Sequence, residues 1–130
     1  MSPQLIIILI CIGLLSGMLS GFVGVGGGII IVPALVFFLG MNQHLAQGTS
    51  LFILLLPIGF LAVYNYWKAD QVSWTNGLVV AIAFVLGSYF GSKLALKLSP
   101  GLVQLIFGII MVIISFKLMI SGYTAWNNEK

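Results

Sequence analysis

The stretch GFVGVGGGIIIVPALVFFLG, Gly21 to Gly40, carries no charged side chain, no amide and no hydroxyl. It lies inside a longer apolar run, Leu5 to Met41, whose only polar side chains are Cys11, Ser16 and Ser20. Three consecutive glycines, Gly26 to Gly28, interrupt that run, and Pro33 follows them. Glycine and proline are the poorest helix formers. As one helix the run would be about 55 Å long, far more than the hydrocarbon core of a bilayer accepts. It must therefore turn back on itself at GVGGG. A turn among headgroups is expected to carry Asn, Asp, Lys or Trp, and none stands between Gly21 and Met41. The expectation is a turn buried within protein, where broken backbone is tolerated if it lines a cavity.

The rest of the chain agrees with a membrane setting. Of its 130 residues, 61% are hydrophobic and 5% charged, with a mean hydropathy of +1.22. A water-soluble domain has roughly a quarter of its residues charged, so the chain reads as an integral membrane protein, a single membrane domain over residues 1–130. Five lysines against two acids are too sparse for a nucleic-acid surface, which needs clustered basic residues. MSPQLIII at the N-terminus lacks the basic region of a secretory signal, and the first segment reads as a retained helix. Cys11 stands alone and reads as a small hydrophobe.

A membrane ruler of roughly 20 apolar residues per crossing yields an all-α fold of about five helical pieces. They are a Gly-rich broken or re-entrant hairpin (4–23 and 29–40) and three further transmembrane helices (50–67, 74–97 and 102–121). Piece 4–23 either crosses fully or dips in and returns; both place residues 1 and 42 on one side. Three further crossings put the C-terminus on the other side, with Trp67, Trp74, Trp126, Tyr64, Tyr66 and Tyr123. Trp and Tyr collect at membrane interfaces, and here they form half a belt. Lys93 and Lys97 lie toward the first side, Lys68, Lys117 and Lys130 toward the second, so the lysine bias that orients membrane proteins is almost nil. Either other details set the orientation, or the chain inserts both ways and pairs with an inverted copy of itself. Glycines four apart, at Gly13, Gly17 and Gly21 and at Gly87 and Gly91, permit the close helix approach on which packing in lipid depends.

A helix that begins at Gly26–Gly28 leaves its first amides unpaired and adds the positive end of its macrodipole. Glycine also lets a ligand reach the backbone. Either these glycines are only a tight packed hairpin, or they bind an anion at membrane depth, as discontinuous helices do in secondary transporters. In the second reading Gly24, Gly26, Gly27 and Gly28 are the backbone donors. A second helix start is expected at AQGTSLF, where Gly48, Thr49 and Ser50 have capping character. Gln47, Thr49 and Ser50 would supply side-chain donors. Lys93 either snorkels to the interface or offsets the anion's charge, and His44 is expected in a solvated polar loop. Pro57 is expected to kink the following helix. No Asp or Glu lies within an apolar segment, which argues against a cation carrier. No zinc-type cluster, Ser/His/Asp set or acid pair points to an enzyme, and no cofactor or metal is implied.

Gly24 to Pro33, followed by Ala46 to Ser50 in the Ala-x-Gly-Thr-Ser manner, resembles the sulfite exporter TauE/SafE family, also called the four-toluene sulfonate uptake permease family. The helix VSWTNGLVVAIAFVLGSYFGSKLALKLS, with Gly87 and Gly91, is similar too. The resemblance implies a multi-pass protein of a prokaryotic inner membrane that moves small sulfur-containing or organic oxyanions such as sulfite, thiosulfate and sulfonates. Members of that family are about twice as long and hold two repeats. This chain carries one repeat of such an inverted-repeat transporter, which implies an antiparallel homodimer working by alternating access. The alternative is a non-transporting membrane subunit or assembly partner of a larger complex.

Overall fold

The computed structural model describes residues 1–130 and is built only of helices. They are α1 (Pro3–Val23), α2 (Gly28–Leu39), α3 (Gln43–Leu55), α4 (Phe60–Lys68), α5 (Trp74–Lys97) and α6 (Pro100–Asn128). Three of them, α1, α5 and α6, are long and apolar enough to cross a membrane. The α3–α4 pair passes the same test as a single span bent by 53°. This is a multi-pass, all-α membrane protein.

The glycine turn falls where the apolar run required it. Gly24 closes α1 in the left-handed region, its amide donating to the Ser20 carbonyl at 2.7 Å. Gly26 and Gly27 are also left-handed, with φ of 74° and 79°, and Gly27 is the N-cap of α2. A side chain in that conformation costs about 1–2 kcal/mol per residue, so no other residue would turn the chain so cheaply. Gly27 is buried, whereas Gly24, Val25 and Gly26 are exposed in the single chain. The expected enclosure of the turn is therefore one-sided: α2 and α1 cover Gly27 and leave the opposite side open.

Four expectations are corrected. The segment 50–67 is not one helix starting at a Gly48–Ser50 cap. Its helix starts at Gln43, because Asn42 is the better cap: its side chain accepts the Leu45 amide at 3.0 Å. Gln47, Gly48, Thr49 and Ser50 then lie inside α3. The same segment stops at Leu55, where Pro57 removes an amide and the chain runs through Leu56–Gly59 before α4 begins. Pro57 thus breaks the helix rather than kinking it. His44 is not in a solvated loop either. It sits in the first turn of α3, partly buried, with Nε2 at 2.9 Å from the Leu98 carbonyl. A carbonyl can only accept, so Nε2 donates. The last helix also outruns the expected end at 121, continuing to Asn128, since the lone Gly122 weakens a helix without ending it.

Packing centres on the antiparallel α2–α3 hairpin, where Ile31, Val32, Leu35 and Ala46 form a small core. Ala46 is fully buried, at 0% exposure. Val36, Leu39, Ile53 and Phe107 pack around that core, the last from α6. α1 lies on α2. No residue of α5 is buried, and only Val103 is buried in α6, so these two helices turn nearly all their Leu, Ile, Val and Phe outward. The His44–Leu98 bond joins the start of α3 to the α5–α6 turn.

Replacing Ala46 by Leu in this core is expected to destabilise the fold by about 1–3 kcal/mol through overpacking. His44→Ala should cost about 1 kcal/mol, since it strips the Leu98 carbonyl of its donor. Unfolding titrations in mixed micelles measure both, and unchanged midpoints would contradict the packing described.

Candidate anion site at the glycine turn

Between the end of α1 and the second residue of α2 the chain leaves a row of backbone donors. The amides of Val25, Gly26, Gly27, Gly28 and Ile29 reach no backbone acceptor. The first intrahelical bonds of α2 come from Ile30 and Ile31, both to the Gly27 carbonyl, at 3.0 and 2.8 Å. Unpaired N–H groups at a helix start combine with the macrodipole to favour an anion. α2 has 12 residues, about 18 Å, so it covers only part of the roughly 30 Å hydrocarbon core.

α3 supplies the wall facing this row. A Cβ placed on Gly28 would lie 3.7 Å from Ser50 Oγ and 3.9 Å from Leu54 Cδ1. Ser50 is buried, at 3% exposure, so its hydroxyl is held against the start of α2. A Cβ on Gly27 would lie 3.2 Å from Ile31 Cδ1 and 3.8 Å from Ser20 Cβ. Backbone, Ser20 and Ser50 thus converge at one level of the fold.

The expected donors separate under this geometry. Gly26, Gly27 and Gly28 belong to the amide row, with Val25 and Ile29 added to it. Gly24 does not act as a donor here, because its amide closes α1 on Ser20. Ser50 faces Gly28. Gln47 lies one turn earlier on the same face of α3, half-buried. Thr49 is turned about 100° away from Ser50, and its hydroxyl donates to the Leu45 carbonyl at 2.7 Å. Lys93 sits on the exposed surface of α5, its Nζ 4.7 Å from the centre of the Tyr89 ring. The structure therefore gathers glycine amides and Ser50, and leaves Thr49 and Lys93 outside that group.

Three further features were not anticipated from residue types. The Tyr66 hydroxyl donates to the Gly21 carbonyl at 2.8 Å, although Tyr66 had read only as part of an aromatic belt. Ser16 is buried with no hydrogen-bond partner, one turn before Ser20. Gln43 is 97% buried by the same measure as Ser50, at 3% exposure, and its Nε2 has no partner. The signal for Gln43 was its place directly after the Asn42 cap.

Comparison with known proteins fits this architecture. The chain is 33% identical over 119 residues to a probable membrane transporter protein of Xylella fastidiosa, covering 90% of this chain and 43% of the relative. It is 32% identical over 123 residues to the probable membrane transporter protein YunE of Bacillus subtilis, covering 89% of this chain and 45% of that one. An archaeal relative, probable membrane transporter protein MJ0441 of Methanocaldococcus jannaschii, is 26% identical over 111 residues. The chain thus spans less than half the length of the curated relatives it matches. No solved structure matches it. The family model described as sulfite exporter TauE/SafE matches residues 2–121. With its broken α1–α2 hairpin and its bent α3–α4 span, this chain belongs to the sulfite exporter TauE/SafE family of membrane transporters.

Proposed function

We propose that the chain is one repeat of a secondary transporter for small oxyanions of the sulfite, thiosulfate and sulfonate kind, with no enzymatic activity of its own. The observation that carries this is the row of unpaired amides from Val25 to Ile29 facing buried Ser50. Neutral donors suit a carried anion, because a site must hold its solute firmly enough to select it and weakly enough to release it. Full countercharge is absent from the row. An oxyanion presents several acceptors over a span of a few ångströms, as the row requires. The name of the matching family, sulfite exporter, supports the substrate class.

The open side of the turn calls for a cover, and the length of the relatives supports a second repeat as that cover. Odd parity in one repeat makes a following repeat inverted. We take the working unit to be an antiparallel homodimer in which two glycine turns meet near the midplane and alternating access exposes them in turn. The nearly balanced lysines fit a chain that inserts in both orientations.

Purified protein in liposomes should carry sulfite. Ser50→Ala should slow that flux about tenfold, the loss of one donor to a charged group, without loss of folded protein. Gly27→Leu should abolish flux, since its side chain needs a left-handed backbone and the space of Ile31. Wild-type flux in both variants would place the solute elsewhere, and absence of flux for every oxyanion tried would favour a non-transporting subunit. C-terminal tags should be reached by impermeant reagent from both faces of the membrane; strictly one-sided labelling would rule out the inverted pair.

A further inference from the structure

From the α3–α4 break and the Tyr66–Gly21 bond we infer that α4 is a gate, hinged at Leu56–Gly59 and latched to the glycine turn by Tyr66. The inference rests on the anion-site reading for its purpose, but its geometry stands independently.

The hinge is bare of cross-links. Pro57 has no amide, the Ile58 amide folds back on the Leu56 carbonyl at 2.7 Å, and the Phe60 amide goes to Pro57 at 3.3 Å. No backbone hydrogen bond joins a residue of α4 to one of α3, and the two helices meet at 53°. α4 is short, nine residues, and none of them is buried. Motion about such a segment breaks no helical bond.

Its two faces differ in what they meet. On one face Ala62 lies against the end of α1, 3.9 Å from where a Gly21 Cβ would stand, and Tyr66 donates to the Gly21 carbonyl at 2.8 Å. That carbonyl would receive the Val25 amide if α1 continued. The glycine turn takes Val25 away, and Tyr66 supplies the missing donor. The latch therefore sits on the carbonyl that the turn leaves without its helical donor. The opposite face, with Phe60, Val63, Tyr64 and Trp67, borders an open apolar groove of about 540 Å³ that Pro57 and Trp74 also line. α4 has a docking place on one side and room to swing on the other. Tyr66 is on this account a positioning residue: its contact is with the backbone of the last turn of α1, just before the glycine turn, and through it α4 closes over or withdraws from the solute.

The 3.9 Å approach of Gly21 and Ala62 is within the Cβ–Cβ range of a disulfide, which allows a direct test. In a Cys11→Ser background, Gly21→Cys with Ala62→Cys should cross-link on oxidation, and sulfite flux in liposomes should fall at least tenfold and return on reduction. Failure to cross-link, or equal flux in the oxidised and reduced states, would overturn the gate. Should the Cys11→Ser parent carry no sulfite, thiosulfate or sulfonate at all, the transport reading fails separately, and the gate is judged by distance alone. Spin labels at Leu14→Cys and Lys68→Cys, in Cys11→Ser chains diluted with unlabelled protein, should report two α1–α4 separations, with Tyr66→Phe favouring the longer. One separation, indifferent to Tyr66→Phe, would overturn it.

Discussion

Everything distinctive about this fold follows from the rule that a backbone amide in hydrocarbon must find an acceptor. A continuous helix satisfies the rule internally, which is why membrane chains are mostly helices. Here the continuous helix is interrupted twice, at Val25–Ile29, where the amides stay unpaired, and at Leu56–Gly59, where Leu56 and Ile58 bond back locally, and both interruptions lie beside the same few residues. Gly28 meets Ser50 and Leu54, and the second break opens one residue after Leu55. Unpaired backbone costs several kcal/mol per group when it faces lipid. That cost falls on the first break, because the second pairs the amides of Leu56 and Ile58 locally. In the proposed reading the glycine turn offers donors to a solute, and the second break lets an adjacent half-helix move.

The first break was legible in the residues because two physical demands coincided there. The run from Leu5 to Met41 was too long for one crossing, and glycines were the only residues in it able to turn. The second break was half legible. Pro57 announced a disturbance, but a proline in a membrane helix can leave a kink or a full interruption, and side-chain types do not distinguish them. In the structure Leu56, before Pro57, is extended rather than helical, and the helix ends there. The start of α3 was misread for a related reason. Gly48, Thr49 and Ser50 have the chemistry of a cap, yet Asn42 has it too and comes first. Once the helix began at Gln43, Thr49 bonded back to Leu45 and lost its capping role.

Individual side-chain donors are harder to read from residue types than the turn itself. Along α3, Ser50 and Thr49 are adjacent in sequence but about 100° apart around the axis, so only one can face α2. Choosing between them requires the phase of the helix, which depends on where it starts. Lys93 illustrates a different limit. It lies near glycines that suggested close packing, but α5 buries nothing within one chain, and the lysine rests on its own helix over Tyr89. Backbone positions are fixed by turn geometry and survive such errors; side-chain positions are fixed by register and do not.

What remains exposed is as informative as what is packed. α5 shows no buried residue, and the amide row is covered on one side only. Lipid can cover leucines at no cost, but it cannot receive hydrogen bonds from Val25, Gly26 or Gly27. The uncovered side of the turn therefore demands protein or water, whereas the uncovered face of α5 does not. The inverted second repeat proposed above would answer this demand symmetrically. Its own turn would arrive with the same donors and its own α4 from the opposite face, so the interior between two turns would be polar without containing a fixed charge. Such an interior could open to either face by the movement of one half-helix at a time, because each hinge would belong to one repeat and neither would share backbone bonds with the other.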